Sequence, residues 1–532
     1  MSSGPPRPTL SEARARLRDL GYLQGRVERF VFRRALEGTA GLLLPLALAG
    51  ALAVALAETA AVCASQFRYA QLPWAAALLF GHLFFAALVP SAIFATLLFA
   101  VAGRSRRPGG GAAVAGFLAA GAILALWLFG TWRLGPDRAG AALLWGIPVT
   151  LAALLLGAIT RATFLARAFA SSGRLPERPR RAILLFAVAG ALSGAALLFA
   201  GRQGPVRPDP PLPSPRATPV VVVGVDGMSL DERRPGETAL ARLLSEGATG
   251  AWPARSASPA EIWTDLATGV PASRHGVRAL EWVRPAGLPP LRPPLGTSWY
   301  LRGVGLAAGL VSRAPVSARE RRTLAFWEVA ASAGLPTLAV GWWASGPWPG
   351  AAVVENREVL ARSTGGLDVD AVAIWEFSRL SSGRPLSAVY LPGPDILRHN
   401  RTARTAALAQ VESFLVPAIE RARRGEAVLI VLSAESHPLR RSVGRMIVFD
   451  GTAAPRTVPM RTEDVAPSIL ARAGVPVARD LPGRPVPSLF RPGSLETTTV
   501  ATYGERVAPP FSAPRGSDRE YLEKLKSLGY LN

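Results

Sequence analysis

The sequence predicts a bundle of membrane-spanning helices followed by an α/β domain, a mostly parallel sheet with helices on both faces. Three observations lead there. At 532 residues the chain exceeds one ordinary domain. Its hydrophobicity is lopsided: residues 38–200 are dominated by Ala, Leu, Gly and Phe, whereas charges recur every few residues from 201 onward. In the second half, short β-rich apolar runs alternate with helical stretches, the pattern of a parallel sheet covered on both faces.

In the first half, five apolar stretches reach the roughly 20 residues that cross a bilayer: 38–62, 74–102, 111–132, 140–160 and 181–200. Pro45, Pro90 and Pro148 fall inside them and are tolerable in membrane helices, Pro90 with a kink or tilt. Five such stretches in succession argue against buried core helices of a soluble protein. Residues 1–36 form an Arg-rich segment containing the amphipathic stretch "TLSEARARLRDLGYLQ", with Thr9 and Glu12 at capping-box spacing and Gly21 as a C-cap. This segment is too charged, and the first span too long, for a cleavable signal. The first span is expected to act as an anchor.

The formal charge of +23 is nearly all arginine, since only Lys524 and Lys526 are lysines. No basic run is interleaved with aromatics, which argues against nucleic acid as a partner. The arginines instead flank the spans, although an Arg-rich background composition would give the same surplus. Successive flanks carry 8, 1, 3, 2 and 6 arginines. Positive residues stay in the cytoplasm. The expected topology has a cytoplasmic N-terminus, five crossings of the plasma (inner) membrane and an extracytoplasmic C-terminal domain. Cys63 is the only cysteine, so no disulfide forms within the chain.

Residues 201–219 form a Pro-rich, extended linker. A domain over 220–490 and a tail over 491–532 follow. Strands are expected at 220–225, 337–341, 387–391, 427–432 and 445–449, and helices at 238–246, 320–333, 403–422 and 463–473. Ligands in such folds bind at the carboxyl ends of strands. "VVVVGVDG" puts Asp226 at the first of these ends. Of the histidines in this half, His399 follows Asp395 in "PGPDILRHN" after one strand, and His437 follows "AVLIVLSAES" after another. The third is His275. His and Asp at several strand ends are what a metal site needs. One oddity stands apart: "RLRDLGYLQ" (16–24) recurs as "KLKSLGYLN" (524–532).

"VVVVGVDG", "SPAEIWTDLATGVPASRHGV", "FWEVAASAGLPTLAVGWWASGPWPG", "VYLPGPDILRH" and "EDVAPSILARAGVPVARDLPGRPV" occur in that order over roughly 217–490. Together they resemble the type I phosphodiesterase and nucleotide pyrophosphatase branch of the alkaline phosphatase superfamily. The resemblance implies a phosphoryl-transfer site with two metals, usually zinc. Asp226 would bind one metal and Ser258 would be the nucleophile, with Ser256 its rival. A serine hydroxyl is a poor nucleophile near neutral pH, and metal coordination would activate it. Asp395, His399 and a late histidine would hold the other metal. His275 matches a position that supports the fold.

The chain departs from that pattern at "LSAESHPLRR", where the family has Ser-Asp-His-Gly. One alignment puts Ala434 and Glu435 in place of Asp and His and makes His437 the downstream ligand. The Asp395, His399 and His437 site is then complete, with one zinc held tightly. The Asp226 site keeps only Glu435 as a substitute ligand. The other alignment makes His437 the early histidine and leaves the Asp395/His399 site short. The reading favoured from sequence is an outward-facing, metal-dependent phosphodiesterase or phosphotransferase using Ser258. Its substrate would be a lipid-linked or envelope phosphodiester. The layout of five spans before such a domain is similar to that of lipid A phosphoethanolamine transferases and lipoteichoic acid synthases, an analogy of layout alone. The alternative is a pseudoenzyme of the same fold, serving as a binding or scaffolding domain.

Overall fold

A computed structural model describes residues 40–65, 73–104, 108–134 and 139–172, three single residues before them, and most of 218–531, with breaks at 229–242, 435–442, 451–454, 507–516 and a few shorter ones. It divides into two compact units, Met1–Gln203 with Val283–Ser312, and Gly204–Trp282 with Arg313–Asn532.

The first unit contains four long helices: α1 (Ala40–Ser65), α2 (Pro73–Arg104), α3 (Pro108–Leu134) and α4 (Ala139–Ser172). Each contains a stretch long and apolar enough to cross a membrane: Leu43–Ala64, Trp74–Ala102, Gly110–Gly130 and Gly146–Ala168. They correspond to the first four expected spans. The fifth, 181–200, lies outside the described residues. Small residues let these helices approach closely, as in membrane bundles generally. At Gly116 on α3, a Cβ would lie 2.8 Å from the carbonyl oxygen of Gly157 on α4.

Residues Val283–Ser312 extend this unit from a two-stranded ribbon, β3 (Glu281–Pro285) and β4 (Val311–Pro315). Leu288, Leu291 and Leu301 share a core with Leu79, Leu83 and Val62. Glu58, buried in α1, accepts hydrogen bonds from the Gly296 amide at 2.5 Å and the Thr297 hydroxyl at 2.5 Å. A carboxylate inside an apolar span is costly without partners, and these two residues supply them.

The second unit is built on an eight-stranded sheet of order β10-β2-β9-β8-β1-β7-β5-β6. Its centre is β7 (Leu386–Leu391), β1 (Val220–Asp226) and β8 (Val428–Ala434), all parallel and wholly buried. These are the continuous apolar runs of the sequence, as expected for strands covered on both faces. β5 (Thr337–Val340) and β6 (Ala351–Val354) extend one side in parallel. On the other side β9 (Gly444–Phe449) is antiparallel to β8 and to β2 (Ala248–Trp252), and β10 (Arg456–Pro459) closes the edge.

The expected helices 320–333, 403–422 and 463–473 are found at Phe326–Ser332, Arg401–Arg423 and Val465–Arg472, while most of 238–246 lies outside the described residues. Three helices bear on the site: α5 (Pro259–Thr268), which precedes α6 (Ala272–His275) and α7 (Phe326–Ser332), then α8 (Asn356–Arg362) and α9 (Gly366–Leu380). Arg401–Arg423 is hereafter α11, following the short α10 (Gly393–Ile396). The chain closes with a helix over Ser517–Ser527, whose Leu525 is fully buried and whose Tyr521 hydroxyl donates to Asn356 Oδ1 at 2.8 Å. It ends at Gly529, where φ of +78° suits glycine. The second copy of the repeated motif is thus a docked helix end. The first copy, 16–24, lies almost wholly outside the described residues.

Candidate functional site

The carboxyl ends of β7, β1 and β8 lie side by side, with Val225 opposite Leu391 and Asp226 opposite Ala434. The sheet register therefore puts Ala434 beside Asp226. Glu435 and His437, which follow it, are outside the described residues, as is Ser256.

Asp226 is fully buried and held by three donors. Its Oδ2 accepts from Trp263 Nε1 at 2.9 Å and from the Tyr390 hydroxyl at 2.9 Å, and its Oδ1 accepts from the Gly227 amide at 2.9 Å. Tyr390 in turn accepts from Trp343 Nε1 at 3.0 Å. The local sequence explains the arrangement. Gly224 is the one interruption in the valine run of β1, and there a Cβ would come within 2.6 Å of the Trp263 ring. Gly227 has φ of +70° and lies so close to Asp395 that a Cβ would be 2.6 Å from the Asp395 Cα. Burial first, then the neighbouring Asp395 carboxylate, pushes the Asp226 carboxyl well above the usual aspartate range, against the pull of the Tyr390, Trp263 and Gly227 donors.

Asp395 is buried in α10, where Arg398 reaches it, Nη1 lying 3.0 Å from its carbonyl oxygen and 3.5 Å from Oδ2. His399, one residue further on, is exposed. Asp370, on α9, accepts from the Gly393 amide at 2.9 Å, and burial pushes its carboxyl up to about 7.

Ser258 is the N-cap of α5. Its hydroxyl accepts from the Glu261 amide at 3.2 Å and donates to the Arg278 carbonyl at 3.1 Å. Pro259 occupies the first helical position, where a missing N–H is harmless. The hydroxyl proton is thus directed at a backbone carbonyl. His275 is buried further along. Its Nδ1 accepts from the Val277 amide at 3.0 Å, so Nε2 carries the proton and donates to Asp265 at 2.6 Å. Arg255 closes this triad on the other Asp265 oxygen. Burial lowers the His275 pKa despite the bond to Asp265, so the ring is neutral and structural.

Among the described residues, no group of three or more His, Cys, Asp or Glu side chains gathers to hold a metal. Asp226, the ligand implied for one zinc, already has three protein donors, and the neighbouring strand offers it alanine. Tetrahedral zinc wants four ligand atoms. The described residues do not fit the two-zinc site that the resemblance implies.

Sequence reasoning found Asp226 and Asp395 but not the residues around them. Nothing in the sequence singles out Trp263 or Tyr390. Tyr530, the tyrosine of the repeated motif, packs edge-on to Trp343 with ring centroids 5.6 Å apart. Burial first, then the charges of Asp395 and Asp226, raises its hydroxyl well above the usual tyrosine range. The only signal for it was the repeat.

No family model matches the chain, and no curated protein matches it. Among solved structures it is similar to murine ectonucleotide pyrophosphatase/phosphodiesterase 5, at 18% identity and a TM-score of 0.29, over 41% of this chain and 56% of that one. It is also similar to the phosphonate monoester hydrolase of Silicibacter pomeroyi, at 11% identity and a TM-score of 0.33, over 52% of this chain and 78% of that one. The chain spans little more than half the length of the murine protein.

Proposed function

We propose that the chain is a membrane-anchored protein whose C-terminal α/β domain keeps a phosphodiesterase frame and binds a phosphodiester without two-metal hydrolysis at Asp226. The observation that carries this reading is the set of donors on Asp226. A metal-binding carboxylate must offer lone pairs to the ion, whereas this one is held by Trp263, Tyr390 and the Gly227 amide, beside Ala434. The Ser258 hydroxyl, spent on capping α5, agrees with it. The test is zinc content and aryl phosphodiesterase turnover of the purified full chain, with Asp226→Asn alongside. The reading expects no turnover, and no zinc that depends on Asp226.

A second reading has its own support. On it the domain is a phosphoric diester hydrolase or phosphotransferase acting through Ser258, with one zinc on Asp395, His399 and His437. It is favoured by the adjacency of the β7, β1 and β8 ends, which carry Asp395, Asp226 and the segment leading to His437. Turnover that vanishes with His437→Ala but survives Asp226→Asn would select it.

For topology, we infer an extracytoplasmic C-terminal domain on the plasma (inner) membrane, which leaves lipid-linked or envelope phosphodiesters as the ligand class. The alternation of the arginine flanks described above supports it. Reporter fusions at residues 170 and 215 are expected to report opposite sides.

A further inference from the structure

The excursion Val283–Ser312 is fastened to α1 and α2 through its inner side, where Leu288, Leu291 and Leu301 meet Val62, Leu79 and Leu83. The Tyr300 hydroxyl lies 3.5 Å from Nδ1 of His82 on α2. At Gly287, a Cβ would stand 3.5 Å from Cδ2 of Leu78, which is itself exposed on the second apolar stretch. The excursion thus runs beside a surface of α2 that faces lipid if α2 spans a membrane. Its outer side is apolar as well. Trp299, Val304 and Leu310 are 42%, 56% and 47% exposed. They stand on and beside a short irregular helical segment, Tyr300–Val304 running into Gly305–Ala307. Leu301 and Gly305 of that segment are buried. Most other large apolar side chains exposed among the described residues lie on α1–α4.

We propose that this excursion is a membrane-interface anchor, whose Trp299, Val304 and Leu310 enter the boundary between acyl chains and headgroups beside α2. The inference rests on the reading of α1–α4 as membrane spans. An exposed apolar patch marks a partner or a membrane, and the continuity with Leu78 selects the lipid around α2. Depth agrees with this choice. α2 has 32 residues, and at about 1.5 Å each it exceeds the roughly 30 Å hydrocarbon core even when tilted. Its ends therefore reach headgroup level, and the excursion is attached near the first of them. Trp and Tyr favour that level because each joins an apolar ring to a polar tip. Trp299 and Tyr300 are adjacent, their rings edge-on with centroids 6.2 Å apart. Arg302, exposed between Trp299 and Val304, suits the same place, since its stem can lie on apolar surface while its charge stays in water. A short amphipathic element lying in the interface gains from burying its apolar side there without crossing the bilayer.

The test uses the full chain in vesicles of phosphatidylcholine and phosphatidylglycerol. Cys63→Ala removes the native thiol, and a nitroxide label is attached in turn to Val304→Cys, Leu310→Cys, Phe85→Cys and Val416→Cys. Phe85 is exposed within the second apolar stretch, and Val416 is exposed on α11 of the α/β domain. Power saturation compares collision with oxygen, which concentrates in lipid, against collision with a water-soluble nickel chelate. The oxygen-to-nickel ratio at Val304 and Leu310 is expected to stand with that at Phe85, several-fold above that at Val416. A ratio at either position as low as at Val416, with Phe85 in lipid, would overturn the anchor and leave the spans standing. A low ratio at Phe85 as well would overturn the span reading and the anchor with it. Labels at Val304 and Leu310 shielded from both reagents would mean that protein covers this face, a second copy of the chain included, and would also overturn the anchor.

Discussion

Gly224 stands where a Cβ would lie 2.6 Å from Cζ3 of Trp263. The glycine lets the indole pack close against β1 and reach Asp226, two residues further along the same strand. Gly224→Ala would push the ring away in a fully buried setting. Overpacking of this kind typically costs about 1–3 kcal/mol. The expected result is a lower melting temperature together with a shifted Trp fluorescence spectrum. Unchanged stability would mean that the ring has room to move.

The two side-chain donors on Asp226 lead to a second expectation. Tyr390→Phe removes one hydroxyl donor and leaves Trp343 Nε1 without its acceptor. Loss of a buried hydrogen bond costs about 1–3 kcal/mol when a partner is left unsatisfied. Tyr390→Phe and Trp263→Phe are each expected to destabilise the domain in chemical denaturation. Their combination should depart from additivity, because both donors meet the same oxygen. Additive losses would show that the two act independently of Asp226.

Asp370 gives a pH dependence with a definite sign. Its carboxyl is raised by burial from 3.8 to about 7. Below the lower value both folded and unfolded chains hold the proton, and nothing is lost. As pH rises toward 7 the unfolded chain ionises first, so stability falls, and above 7 it levels off. At about 1.4 kcal/mol per pH unit the loss reaches the order of a few kcal/mol. Asp370→Asn keeps an oxygen for the Gly393 amide and removes the titration. The variant's melting temperature is expected to change less than the wild type's between pH 4 and pH 8. Parallel profiles would exclude Asp370 as the source.

The C-terminal helix contributes a fully buried residue, Leu525, to the core of the domain. Leu525→Ala is expected to destabilise it by about 2–5 kcal/mol. Tyr521→Phe, which frees Asn356 Oδ1, should cost about 1 kcal/mol. Protease resistance that survives deletion of residues 517–532 would show the helix to be an accessory.

The central strands were legible because they are continuous apolar runs, and Asp226 stood out because a charge ends the first of them. The antiparallel direction of β9 was not legible, since an apolar run carries no mark of the direction in which it pairs. The helix Gly366–Leu380 was legible in principle: Val369, Ala373 and Phe377 recur at four-residue spacing and are buried. The excursion Val283–Ser312 left no trace, because Leu288, Leu291 and Leu301 are too scattered to signal a packed surface. Around the candidate site, sequence marked acids and histidines by their chemistry. It could not mark Trp263 and Tyr390, whose role comes from distant chain segments meeting at one oxygen.

The most direct test is the zinc content of the full chain, measured together with its turnover of bis(4-nitrophenyl) phosphate. If Asp226 is a structural acid, Asp226→Asn leaves zinc content unchanged and turnover is absent in both proteins. Ala434→Asp, which puts a carboxylate beside Asp226, made together with Glu435→His, should then raise zinc content. A wild-type protein that holds two tight zinc ions, loses one with Asp226→Asn and hydrolyses the diester would contradict the account.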